Sequence, residues 1–203
     1  MATRLLLIRH GESDDNLAGR LAGWTDSALT ERGAEQARRM ARYVSEAYRL
    51  DAMYSSPLLR AQKTAEPLAA LAGLPILVRD DLRELYFGAA DGLTVPELVA
   101  RFPTDWERAQ HEEDLEFRFP GGEARVHFHD RVRRAFSALI QSHPDQTIAV
   151  VSHGGVLSSF LADVVEGLPQ RWRGYFCDNC ALSELLADGG NVSVVRRSVV
   201  EYL

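Results

Sequence analysis

The residues best suited to chemistry stand at the ends of two apolar runs. Leu5-Leu6-Leu7-Ile8 is followed directly by Arg9-His10-Gly11, and Val150-Val151 leads through Ser152 to His153-Gly154-Gly155. Open α/β sheets bind ligands outside the carboxyl ends of their strands, so the two histidines are expected to meet in one crevice. Such a crevice suits phosphoryl transfer through histidine, which needs a nucleophile, fixed positive charge around the transferring oxygens and an acid for the leaving group. His10 can attack phosphorus if its imidazole is neutral and its other ring nitrogen donates to a backbone carbonyl. Arg9 and Arg60 suit the phosphate because a guanidinium stays charged and donates bidentately. Arg60 follows Tyr54-Ser55-Ser56-Pro57-Leu58-Leu59, a strand end and turn leading into a helix, so its side chain can point back over the strand ends. His153 and Gly154 open a helix whose free N–H groups and dipole favour an anion, and a protonated His153 would add to that. Glu84, in Leu82-Arg83-Glu84-Leu85-Tyr86-Phe87-Gly88, can protonate a leaving alkoxide if partial burial raises its pKa.

Short apolar runs alternate with helix-period segments along the chain, without repeats or linkers. Strands are expected at 4–9, 51–55, 75–78, 147–152, 180–187 and 191–200. After Thr30 as N-cap, Ala34, Ala37, Met40, Ala41, Val44 and Ala47 recur on one helical face. Further helices are expected at 59–72, at 123–142 with Val126, Val132, Phe136, Leu139 and Ile140 inward, and from Gly154, with Gly167 and Pro169 as its stop. Residues 80–122 break the rhythm with Pro96, Pro103, Pro120 and Gly121-Gly122, as a lid or substrate-facing loop would. The expected fold is α/β: a single domain over 1–203, three layers α/β/α, a mostly parallel central sheet and a helical or loop lid inserted at about 80–122.

The 203 residues suffice for one core, burying roughly 70–75% of the surface the unfolded chain exposes. With 23 Lys+Arg against 29 Asp+Glu the net charge is −6, which argues against nucleic acid or anionic membrane as partners and makes any anion binding local. No apolar stretch approaches the roughly 20 residues of a membrane span or reads as a signal peptide, so a cytoplasmic protein is expected. Cys177 and Cys180 form one C-x-x-C without a second pair or a suitably spaced histidine, and read as small residues in or beside a strand. His127 and His129 point about 200° apart on a helix, which argues against a metal site. His111 and His143 are expected to be solvated. P-loop and G-x-S-x-G signatures are absent, and neither cysteine has an arginine six positions on, which removes three other enzyme classes.

Taken together, Leu6-Leu7-Ile8-Arg9-His10-Gly11-Glu12-Ser13 with Asn16 resembles the signature of the histidine phosphatase superfamily, which includes the cofactor-dependent phosphoglycerate mutases. The resemblance spans nearly the whole chain: Gly23-Trp24-Thr25-Asp26-Ser27-Ala28-Leu29-Thr30-Glu31-Arg32-Gly33, Ser55-Ser56-Pro57-Leu58-Leu59-Arg60-Ala61, Leu82-Arg83-Glu84, Gly121-Gly122-Glu123 and Ser152-His153-Gly154-Gly155 follow in the family's order. It implies that His10 is transiently phosphorylated while Arg9, Arg60 and His153 hold the phosphate, with Asn16, Gly23 and Gly154 in the binding set. Glu84 would act as acid and then as base for water, with no metal or organic cofactor. A homodimer is common among relatives, though no stripe here compels one.

Departures from the mutase pattern favour hydrolysis. Glu84-Leu85-Tyr86-Phe87-Gly88 stands where the mutases resemble Glu-Arg-His-Tyr-Gly, Thr94-Val95 stands where they carry a lysine, Arg101 and Arg108 are isolated, and Asp15 occupies a position where tryptophan is frequent. The expected activity is a phosphomonoesterase acting on a small phosphorylated metabolite. A mutase is the alternative, and a catalytically silent phosphate-binding module the second alternative. Leu85, Tyr86 and Phe87 suggest an apolar rim suited to a bulkier or less charged leaving group. Sugar phosphates, phosphoglycerates, an α-ribazole-type nucleotide and a phosphorylated protein side chain remain open.

Overall fold

The computed structural model describes residues 2–203. Along β1 (Ala2–Arg9), Leu5 and Leu7 face one side of the sheet and Leu6 and Ile8 the other, and all four are buried. A strand that is apolar on both faces has to be covered on both. α1 (Asp14–Leu17) is a single turn beyond β1. α2 (Glu31–Ala47) leads to β2 (Ala52–Ser55), and α3 (Leu59–Ala72) to β3 (Ile76–Val78). An insertion with α4 (Val95–Arg101) and α5 (Pro103–Ala109) precedes α6 (Arg125–Ser142), β4 (Thr147–Ser152), α7 (Gly154–Glu166) and the hairpin of β5 (Leu182–Asp188) and β6 (Asn191–Val199).

The six strands form one sheet in the order β3-β2-β4-β1-β5-β6, parallel from β3 to β1 and antiparallel at β5 and β6. The chain moves outward from β1 through β2 to β3, returns to place β4 between β2 and β1, and then passes to β5 beyond β1. Right-handed crossovers put the helices of the two passages on opposite faces. Accordingly α2 and α3 pack on Leu6, Ile8, Met53, Ala149 and Val151, while α6 and α7 pack on Leu5, Leu7, Ile148 and Val150. The reversal lies between β1 and β4, and their register pairs Arg9 with Ser152, which brings the following histidines side by side.

Expected strand boundaries agree with the structure to within two residues. Thr30 caps α2 through Oγ1, which accepts from the Gly33 N–H at 3.0 Å. One expectation here needs correction. The inward face of α6 consists of Phe128, Val132, Ala135, Phe136 and Leu139 together with Arg125 and His129, while Val126 and Ile140 lie at its margins. The polar pair fits because the Arg125 guanidinium donates to the Ala109 and His111 carbonyls, and His129 Nδ1 shares a 2.7 Å hydrogen bond with Ser159. The insertion expected at about 80–122 is partly helical, carrying α4 and α5. Ala90, Leu98, Ala109, Phe117 and Phe119 make a small core of their own. Among the described residues no helix is long and apolar enough to cross a membrane.

Candidate active site

His10 and His153 leave β1 and β4 with ring centroids 5.2 Å apart, both buried. The His10 Nδ1–H donates to the Gly11 carbonyl at 2.8 Å, and the Arg60 Nε–H donates to His10 Nε2 at 3.3 Å. An imidazole that donates at Nδ1 and accepts at Nε2 is the neutral tautomer with its lone pair toward the arginine. Burial, then Arg60 and Arg9, push the His10 pKa well below its ordinary value, so the neutral ring persists into acid. Gly11 is required by the tightness of this turn, because a β-carbon there would lie 2.5 Å from the Gly33 carbonyl oxygen.

Arg60, at the start of α3, is fully buried. Its terminal nitrogens donate to the carbonyls of Thr25 at 2.7 Å, Ala22 at 2.9 Å and Gly23 at 2.7 Å, so the loop before α2 grips the guanidinium and leaves Nε on His10. Gly23 thus enters the site through its carbonyl. Arg9 donates from one terminal nitrogen to the Cys177 carbonyl at 2.6 Å, while its buried Nε has no partner. His153 is bonded at Nε2 to Ser56 Oγ at 2.7 Å, and its buried Nδ1 is likewise unpartnered. Buried polar atoms normally have partners, so Arg9 Nε and His153 Nδ1 are left free to donate to a group placed beside them. The expected protonated His153 meets an opposing environment: burial, Arg60, His10 and Arg9 drive its pKa well down. Its neutral form can still donate from Nδ1 while Ser56 supplies a proton to Nε2. Asn16 Oδ1 accepts from the Ser13 N–H at 3.2 Å and from Asn179 Nδ2 at 3.1 Å.

Glu84 reaches the N-terminus of α7. Its carboxylate accepts from the Gly155 N–H at 2.8 Å and from the Leu85 N–H at 2.9 Å. Burial raises its pKa, against the pull of these two N–H groups and of Arg60 and Arg9. A β-carbon at Gly155 would stand 2.3 Å from Glu84 Oε1, so the second glycine after His153 makes room for the acid. Of the expected apolar rim, Leu85 turns into the main core and Phe87 packs between two cores, while Tyr86 stays outside them, its ring tilted against that of Trp24 at a centroid distance of 4.8 Å.

Several further residues hold this geometry, and two of them, Thr64 and Arg131, carry no signal in the sequence. Thr64 accepts from the Gly11 N–H at 2.9 Å, and its hydroxyl donates back to the Arg60 carbonyl. Arg131, on α6, pairs with Glu123 and donates to the carbonyls of Asp81, Arg83 and Glu84. The Trp24 indole N–H donates to the Glu84 carbonyl at 2.8 Å. The Cys177–Cys180 turn grips β1's end: the Cys180 N–H donates to the Arg9 and His10 carbonyls, and Asn179 Nδ2 to that of His10. Both cysteines are free, and burial raises their pKa values to about 11 and about 12, which keeps them as thiols. His127 is exposed while His129 is buried, and His143 is half-buried, bonded to Tyr54 and Gln146 rather than solvated. Among the described residues no group of three or more His, Cys, Asp and Glu is arranged to hold a metal ion.

The sequence matches the family model of the histidine phosphatase superfamily, branch 1, over residues 5–199. It is 33% identical over 180 residues to phosphoserine phosphatase 1 of Hydrogenobacter thermophilus, covering 89% of this chain and 84% of that protein. The fold superposes on the α-ribazole phosphatase from Shigella flexneri with a TM-score of 0.89 at 26% identity, covering 97% of this chain and 96% of the other. It superposes on the phosphoserine phosphatase from Entamoeba histolytica in complex with 3-phosphoglyceric acid with a TM-score of 0.86 at 26% identity, covering 98% of each chain.

Proposed function

The chain belongs to the histidine phosphatase superfamily, and we propose that it is a metal-independent phosphomonoesterase that hydrolyses a small phosphorylated metabolite through a phosphohistidine on His10. The observation that carries this reading is the His10 ring itself: neutral, fixed by Gly11 at Nδ1, with Nε2 facing the Arg60 Nε–H. A phosphate between Arg9 Nε, Arg60 Nε and His153 Nδ1 puts phosphorus in front of that lone pair. Nε2 attacks, the ester P–O bond breaks, and Glu84 gives its proton to the departing oxygen. The Glu84 carboxylate then takes a proton from water as the water oxygen attacks phosphorus, the P–N bond breaks, and orthophosphate leaves. The raised Glu84 pKa suits the first step and its buried position beside the α7 N-terminus the second.

Hydrolysis is favoured over the mutase reading by the insertion's arginines. Arg108 pairs with Asp114 at 2.9 Å, and Arg101 lies over the Phe102 ring, so both have partners within the insertion. In this reading residues 80–122 act as a fixed wall of the single domain, tied down by Arg125 and Arg173 at the Ala109 carbonyl. Phosphoserine is a substrate candidate through the relatives. The test is inorganic phosphate release from a panel of phosphomonoesters in EDTA, including phosphoserine, 3-phosphoglycerate and p-nitrophenyl phosphate, with H10A as the blank. Release that requires His10 is expected. Interconversion of phosphoglycerates without net release would overturn the reading in favour of a mutase.

A further inference from the structure

Phe176 is a large aromatic residue left 52% exposed. Its position gives that exposure a meaning. The Phe176 ring lies against Gly154, the residue after His153: a β-carbon built on Gly154 would meet Phe176 Cε1 at 3.0 Å and Arg9 Nε at 3.5 Å. The next residue, Cys177, supplies the carbonyl that fixes the Arg9 guanidinium. Behind Phe176 stands Trp172, at a centroid distance of 5.9 Å, whose Cζ3 would lie 2.9 Å from a β-carbon on Gly155, the residue that carries the Glu84 carboxylate. From the acid outward, the first turn of α7 is thus flanked by the Trp172 edge and then by the Phe176 ring. In the proposed mechanism Glu84 protonates the leaving oxygen, and Glu84 lies against Gly155 beside this aromatic edge.

Resting on the phosphomonoesterase reading, we infer that Phe176 is a specificity-determining wall for the leaving alcohol, and that the substrates it favours carry an apolar or aromatic face close to the ester oxygen. The exposed ring offers contact area to such a face and no hydrogen bond or charge to a carboxylate or polyol.

The probes are 2-phenylethyl phosphate and ethyl phosphate, whose alcohols are comparably poor leaving groups, so that both need Glu84. The wild-type enzyme should prefer the phenylethyl ester in kcat/KM by roughly tenfold, the range for one apolar contact surface. In Phe176→Ala that ratio should collapse toward one, while Phe176→Leu should keep much of it. A ratio near one in the wild-type enzyme, or one that Phe176→Ala leaves intact, overturns the inference while leaving the phosphatase reading in place. Failure to release phosphate from either ester or from p-nitrophenyl phosphate overturns both.

Discussion

The proposed phosphate cradle and the proposed acid loop lie side by side but are built differently. His10, Arg9 and His153 sit directly on the ends of β1 and β4, and the register of those strands brings the two imidazoles together. Glu84 lies in the first stretch of the insertion after β3, and its place is set by the neighbouring Leu85 N–H and by contacts from elsewhere: Arg131 from α6, Trp24 from the loop before α2, and the Gly155 N–H. A site on strand ends inherits its geometry from the sheet, whereas a site on a loop needs dedicated supports. Damage to the cradle should therefore reduce turnover of every ester, while damage to the acid's supports should spare esters whose leaving group needs no proton.

The largest effect is expected at the cradle. Arg60→Ala should lower kcat by ~10²–10³-fold for alkyl and aryl esters alike. It also leaves the carbonyls of Ala22, Gly23 and Thr25 without their donor, and because Gly23 alone of the three is buried, urea unfolding should show a loss of about 1–3 kcal/mol. A selective loss on alkyl esters alone would contradict the division between cradle and acid. Gly155→Ala should be selective: a β-carbon there displaces the Glu84 carboxylate, and kcat for alkyl phosphates should fall by roughly 10²-fold, with p-nitrophenyl phosphate much less affected. Arg131→Ala should show the same selectivity at about tenfold, because Trp24 still holds the Glu84 carbonyl.

Acidity sharpens the same contrast. Glu84 must be protonated in the first step, and its pKa is raised by burial, so turnover of alkyl esters should fall as pH rises through that pKa. For p-nitrophenyl phosphate this alkaline limb should be shallow. Depressed as it is, His10 should stay nucleophilic well below pH 6.5. Acid stability should depend on the buried histidines, and His129 is the one that lies away from His10 and His153. His129 has its pKa lowered by burial to about 4, whereas in the unfolded chain it titrates near 6.5. Its contribution is fully present above pH 6.5 and is lost as pH falls toward 4, about 3 kcal/mol in all. His10 and His153 are depressed further and add slopes of their own, so His129→Gln should remove one of three histidine contributions across that window in denaturant titrations, and an unchanged slope would contradict that share.

What was legible in the sequence follows the same division. Strand ends announce themselves, since packing alone gives no reason to stop an apolar run with Arg9-His10-Gly11 or with His153-Gly154-Gly155, and the α/β alternation dictates where the runs meet. Arg60 and Glu84 stand out through their motifs and through resemblance. Two of the supports were not legible, because Thr64 reads as one more residue of a helix and Arg131 as one of several arginines on α6. The apolar rim is misplaced in the sequence reading for a related reason: Leu85-Tyr86-Phe87 are adjacent in sequence, but the irregular backbone sends Leu85 and Phe87 into different packing environments. The insertion's small core of Phe117, Phe119 and Leu98 escapes the sequence because it has no periodic pattern.

The most direct test of the central claim is to trap the intermediate. Mixing the enzyme with ³²P-labelled p-nitrophenyl phosphate, quenching in alkali within milliseconds and mapping the label should place an alkali-stable, acid-labile phosphate on the peptide carrying His10, absent in His10→Ala. Label on any other residue, or full turnover by His10→Ala, would contradict the account.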